Sequence, residues 1–146
     1  MKYLVALLSV SLLLISSQAH SRNTKLMLSI EQALESRDFK QKLDPEIGLY
    51  FGDQKHPKKK EYLGNFSSNK KTNSFNKTDK QACRWALLSA LLSLQERARN
   101  EGGNAVINIA SYYNKITVSS NTEYECHAGS VVAGVALIGD VVTLAK

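Results

Sequence analysis

The segment QACRWALLSALLSLQERARNE, residues 81–101, constrains this chain more than any other. Its Ala, Leu, Arg, Glu and Gln residues lose little side-chain freedom in a helix. Thr78 stands three residues before Gln81, the spacing of a capping box. The pattern predicts a helix over 78–101. Trp85, Leu88, Leu92 and Ala98 fall close to one stripe with Leu91 and Gln95 beside it, so one broad face should bury against a sheet. Ser89, Ser93, Glu96, Arg97, Asn100 and Glu101 are left to face water.

Gly102 and Gly103 follow, and then NAVINIASYY, which reads as a strand. A phosphate cradle and a helix stop compete to explain that glycine pair. Phosphate-binding glycine loops follow a strand and precede a helix, so that free amides and the positive end of the helix dipole face the anion. Here the order is helix, glycines, strand. The pair falls at a helix C-terminus, where the partial charge is negative and a left-handed residue caps the last carbonyls. A stop is therefore expected, and no GxxxxGK[ST] occurs in the 146 residues.

The start of the chain points to export. MKYLVALLSVSLLLISSQAHS has Lys2, an apolar run from Tyr3 to Ile15, and Ser17 and Ala19 flanking Gln18, the pattern of a secretory signal peptide cut after Ala19. The apolar run is shorter than the roughly 20 residues of a spanning helix, so no transmembrane anchor is expected after cleavage. No cysteine adjoins the cut to take a lipid. Losing residues 1–19 removes Lys2, which takes the net charge from +6 to +5 and leaves one domain's length of chain. A periplasmic or secreted location follows, and nucleic acid is not an expected partner.

Two cysteines, Cys83 and Cys126, then sit in an oxidising compartment, where a single possible pairing favours one disulfide. Free thiols, or a metal site that adds His127 and His56, are the competing readings. Between residues 55 and 80 lie Lys55, Lys58, Lys59, Lys60, Lys70, Lys71, Lys77 and Lys80 against only Glu61 and Asp79. Such a run keeps a protein soluble, and it would also meet an envelope protein or an anionic surface.

The remaining segments suggest an α+β fold. Ser29 and Gln32 repeat the capping-box spacing, which places one or two short helices before Pro45. IGLYFGD and KEYLGNFSS read as strands joined by the lysine-rich QKHPKK, and SNKKTNSFNK as an exposed loop. In EYECH, alternation puts Tyr124 and Cys126 on one face and Glu123, Glu125 and His127 on the other. The small and branched residues from Ala128 to Gly139 fit a long, bent strand. No nucleophile, base and orienting group can be named together, so neither an enzyme nor a cofactor is expected, and no catalytic or metal residue is assigned.

At YFGDQKHP, ACRWALLSALLSLQERARNEGGNAVINIASYY and YECHAGSVVAGVAL the chain resembles a group of small exported bacterial proteins often labelled excinuclease ATPase subunit. That label implies a phosphate loop and cytosolic DNA, whereas the residues offer an export signal and no such loop. More distantly, residues 46–146 resemble the Rcs envelope-stress sensor lipoprotein and the YbjQ family, sometimes called heavy-metal-binding. The resemblance to the sensor implies a bridge between Cys83 and Cys126. The YbjQ likeness suggests a ring-like homo-oligomer, for which the residues give no support of their own.

The expected organisation is a signal peptide over 1–19, an N-terminal helical segment over 20–46 and an α+β domain over 47–146. That domain should have four to five mostly antiparallel strands with one long helix packed on the sheet. The expected role is a non-enzymatic binding or envelope-sensing module, with the eight lysines as its contact surface. Metal binding through Cys83, Cys126 and His127 is the first alternative, and a small periplasmic enzyme the second.

Overall fold

The computed structural model describes residues 21–146, so the signal peptide expected over 1–19 and its expected cut lie outside the described residues. The chain runs β1 (Thr24–Ser29), α1 (Ile30–Leu34), α2 (Arg37–Lys42), β2 (Gly48–Phe51), β3 (Lys59–Asn73), α3 (Asp79–Asn100), β4 (Ala105–Ser111), a 3-10 turn (Tyr113–Lys115), β5 (Glu123–Ala128) and β6 (Val132–Leu144). The strands form one six-stranded sheet with α3 packed on it.

β6 organises the sheet. Its length pairs with β3, while Ala133 and Gly134 pair with β5, and Leu137 to Val142 pair with β4. β1 extends the sheet beyond β5, and β2 beyond β4. The sheet thus has six strands rather than four or five. Its β2–β4 pair is parallel, since the chain between them runs through β3 and α3 and re-enters beside β2 in the same direction.

The added strand is β1, inside the segment read as purely helical. Leu26 and Leu28 pack against the core, and Ile30, Ala33 and Phe39 of the same segment are buried within it. The described part of that segment, residues 21–46, therefore contributes to the main core. Ser29 caps α1 by accepting the Gln32 N–H at 3.2 Å, as its spacing predicts.

β3 departs from the sequence reading too. The loop expected over 68–77 is strand as far as Asn73, because β6 continues opposite it and pairs Lys70 with Val135, Lys71 with Gly134 and Asn73 with Val132. That ladder overrides the turn-forming tendency of Ser, Asn and Lys. β3 pairs with β6 alone, and exposed lysines along such an edge discourage other chains from adding to it.

The predicted capping box of α3 is complete, with Thr78 Oγ1 accepting the Gln81 N–H and Gln81 Oε1 accepting the Thr78 N–H, both at 3.1 Å. At the other end Gly103 N–H donates to Ala98 O at 2.8 Å and Gly102 N–H to Arg99 O at 3.1 Å, with Gly102 at φ +81. This is a Schellman stop, and the glycine pair is no anion cradle. Replacing Gly102 by Ala forces a side chain into the left-handed region and should cost about 1 kcal/mol in urea denaturation.

The buried face of α3 lies slightly round from the predicted stripe. Ala82, Cys83, Ala86, Leu87, Leu88, Ala90, Leu91, Leu94, Gln95 and Ala98 are buried, so Leu88, Leu91, Gln95 and Ala98 lie where expected, whereas Trp85 and Leu92 are half-buried at the margin. Small residues let the helix approach the sheet closely. Trp85 instead lies beneath the Lys42 ammonium, 4.9 Å from the ring centre. Gly139 makes room within the sheet, because a Cβ there would meet Val106 Cγ1 of the neighbouring β4 at 2.6 Å.

Candidate functional site: a polar cleft on the open face of the sheet

The alternation predicted for β5 is present. Tyr124, Cys126 and Ala128 are buried toward α3, and Cys126 is bonded to Cys83 with a Cα–Cα separation of 5.8 Å. Burial pushes the Tyr124 hydroxyl up to about 12. Glu125 and His127 turn the other way, onto the sheet face that α3 leaves open.

There they join a chain of contacts drawn from distant parts of the sequence. His127 Nε2 meets Glu125 Oε1 at 2.7 Å, and its Nδ1 meets Asn23 Oδ1 at 3.2 Å. Asn23 Nδ2 donates to the Tyr113 hydroxyl at 3.2 Å, while the Tyr113 ring stacks on the imidazole with centres 3.4 Å apart and planes 12° from parallel. Glu125 is buried, its backbone N–H donates to Ser111 Oγ at 2.9 Å, and Lys25 Nζ stands 3.8 Å from its carboxylate. Both ring nitrogens and one ring face of His127 are therefore held.

This assembly borders a cleft of about 430 Å³ whose rim includes Arg22, Asn69, Lys71, Asn114 and Gly129. Arg22 is already engaged: its guanidinium donates to both Asp79 carboxylate oxygens at 2.6 and 2.9 Å and to Gly129 O at 2.8 Å. Those hydrogen bonds hold the Asp79 carboxyl below the usual carboxylate range and raise Arg22. Lys71 has no carboxylate within 4.0 Å among the described residues. Asn114 and Lys115 both adopt left-handed backbone, φ 51 and 63, which fixes the turn that carries Tyr113 to the cleft.

The structure disperses most of the residues singled out from sequence. Cys83 and Cys126 are consumed in the bridge, and His127 projects from the opposite face of β5, so the three do not assemble as a ligand set. His56 lies against Tyr50, ring centres 5.5 Å apart, away from the cleft. The eight lysines are all exposed, yet they fall into two groups. Lys55, Lys58, Lys59 and Lys60 sit near the Leu144 end of β6, while Lys70, Lys71, Lys77 and Lys80 sit near its Val132 end. The strand between Lys60 and Lys70 spans roughly 33 Å at the usual rise, so they do not form one surface. Only Lys71 of the eight lines the cleft.

Asn23 and Tyr113 carried no sequence signal. Tyr113 lies 90 residues from Asn23, and the SYYNK turn is the one local hint, an aromatic pair running into residues that tolerate left-handed backbone. No family model matches this chain, and no curated protein or solved structure matches it either.

Proposed function

We propose that this chain is an exported binding module of the bacterial envelope that takes a small polar ligand bearing an anionic group in the cleft above His127 and Tyr113. The carrying observation is the fixed chain Glu125–His127–Asn23–Tyr113 set beside the uncompensated Lys71 ammonium. A rigid stacked floor with a few convergent polar groups is what small-ligand sites present. Asn69 and Asn114 add amides that both donate and accept, which suits hydroxyl groups, and Lys71 supplies the charge for a carboxylate or phosphate.

A binding role fits the histidine better than a catalytic one. Its neighbours are Glu125, Asn23 and the Tyr113 ring, none of them an activated nucleophile, so it holds the site in shape. The leader pattern and the resemblance to small exported proteins support the envelope as the place of work, and the helix–glycine–strand order argues against the ATPase label.

Titration of the labelled protein with inorganic phosphate, glucuronate and neutral glucose, read by backbone amide resonances, tests the site. Shifts at Asn69, Lys71 and Asn114 are expected with the anions and should be weaker with glucose. Lys71→Met should weaken anion binding by about tenfold or more, the size of a lost charge-assisted hydrogen bond. Wild-type resonances that stay fixed with both anions would discard the cleft. Export is checked separately, by intact mass of periplasmic material lacking residues 1–19.

A further inference from the structure

We propose that the end of the molecule built from the β3–α3 and β5–β6 turns is a shallow membrane-docking tip for a bilayer carrying anionic phospholipid. Phe75 is 68% exposed and Val131 66%, the two most exposed large apolar side chains among the described residues, and they belong to these two turns, with Val132 opening β6 beside them. The turns are locked to one another. Asn73 pairs with Val132, Ser74 N–H donates to Val131 O at 2.8 Å, and the buried Ser74 hydroxyl donates to Gly129 O at 3.0 Å. The apolar groups therefore stand on a fixed platform, and ordering them at a surface costs little further entropy.

Charge selects the occupant. Lys70, Lys71 and Lys77 are exposed around the same end, and none has a carboxylate within 4.0 Å among the described residues. Asp79, the neighbouring acid, is neutralised by Arg22. Apolar side chains at a tip flanked by lysines that have no carboxylate partner match the two layers of an anionic lipid surface, acyl boundary and phosphate. A folded protein partner is the poorer fit, since three side chains on a projecting end fall well short of the roughly 800 Å² that each side of a stable interface buries.

The test is co-sedimentation of the exported chain, its mass recorded, with vesicles of equal parts phosphatidylglycerol and phosphatidylcholine, and with phosphatidylcholine alone. Binding is expected on the anionic vesicles only, falling as salt rises. Phe75→Ser with Val131→Ser should reduce it roughly tenfold, and Lys70→Gln with Lys77→Gln roughly 25-fold, at about fivefold per lysine. These variants leave Lys71 in place, so the cleft and the tip fail independently. Unaltered thermal melting of the variants, expected at exposed sites, assigns the losses to the surface. Absence of wild-type binding, or binding that both double variants retain in full, would overturn the proposal. Vesicle-free self-association abolished by the Phe75 and Val131 changes would also overturn it, by naming a second copy as the occupant.

Discussion

Reduction of the Cys83–Cys126 bridge should lower the melting temperature by about 15 °C, the shift that a loss of about 4 kcal/mol produces in a domain of this size. The bond closes a loop across 43 positions, and releasing such a loop returns conformational entropy to the unfolded chain. Location adds to the effect. β5 pairs with β6 only through His127–Gly134 and Ala128–Ala133, so the β1–β5 wing is held to the molecule mainly by packing and by the bond from Cys126 to α3. Reduction should therefore loosen that wing first, with β1 and β5 amides exchanging before those of the long β3–β6 ladder. Asn23, Glu125 and His127 all belong to the wing or adjoin it, so anion binding in the cleft should weaken alongside. Matching melting curves with and without a thiol-free reductant, after mass spectrometry shows the bond open, would sink the argument.

Local signals carried the parts of the fold that depend on neighbours in sequence. Thr78 and Gln81, the glycine pair, and the alternation from Glu123 to His127 each need only a few residues to express their geometry, and each appears in the structure as its spacing dictates. What stayed hidden depends on a partner strand or a packing distance. TKLMLS becomes β1 because β5 lies beside it, and Ser68 to Asn73 stay extended because β6 is long enough to pair with them. The stripe on α3 was placed only in part for a related reason: Leu88, Leu91, Gln95 and Ala98 are buried, while Trp85 and Leu92 sit at the margin. Pattern reading centres on the largest residues, Trp85 and Leu92, whereas close packing on a sheet selects the alanines and the bridged cysteine. The cleft was least legible of all, since its Asn23–His127 contact joins residues 104 positions apart.

Gln95→Ala should destabilise the protein by about 3 kcal/mol, far more than its place at the edge of the predicted stripe suggests. The side chain is 1% exposed and clasps the segment between α2 and β2: its Oε1 accepts Asp44 N–H, and its Nε2 donates to Asp44 O and Ile47 O, all at 2.9 Å. Pro45 lies within that segment and brings no N–H; the local turn offers only Ile47 N–H to Asp44 O at 3.3 Å, so the side chain reaching across from α3 is what pairs Asp44 N–H and Ile47 O. Truncation leaves Asp44 N–H and Ile47 O unpaired and opens a cavity. Gln95→Glu separates the two effects, for it keeps the volume and the accepting oxygen while setting a second acceptor against the Asp44 and Ile47 carbonyls. It should be at least as damaging as alanine at neutral pH and recover relative to wild type in acid, where a protonated carboxyl can donate again. Each pH needs its own wild-type reference. The Glu46 N–H and Arg99 hold the Asp44 carboxyl below its usual range, so that group stabilises the fold above its unfolded pKa, and the contribution is lost as pH falls through the folded value. Urea denaturation at neutral pH that shows a loss under about 1 kcal/mol for both substitutions would mean that water replaces the clasp, and that α3 holds this segment by apolar packing alone.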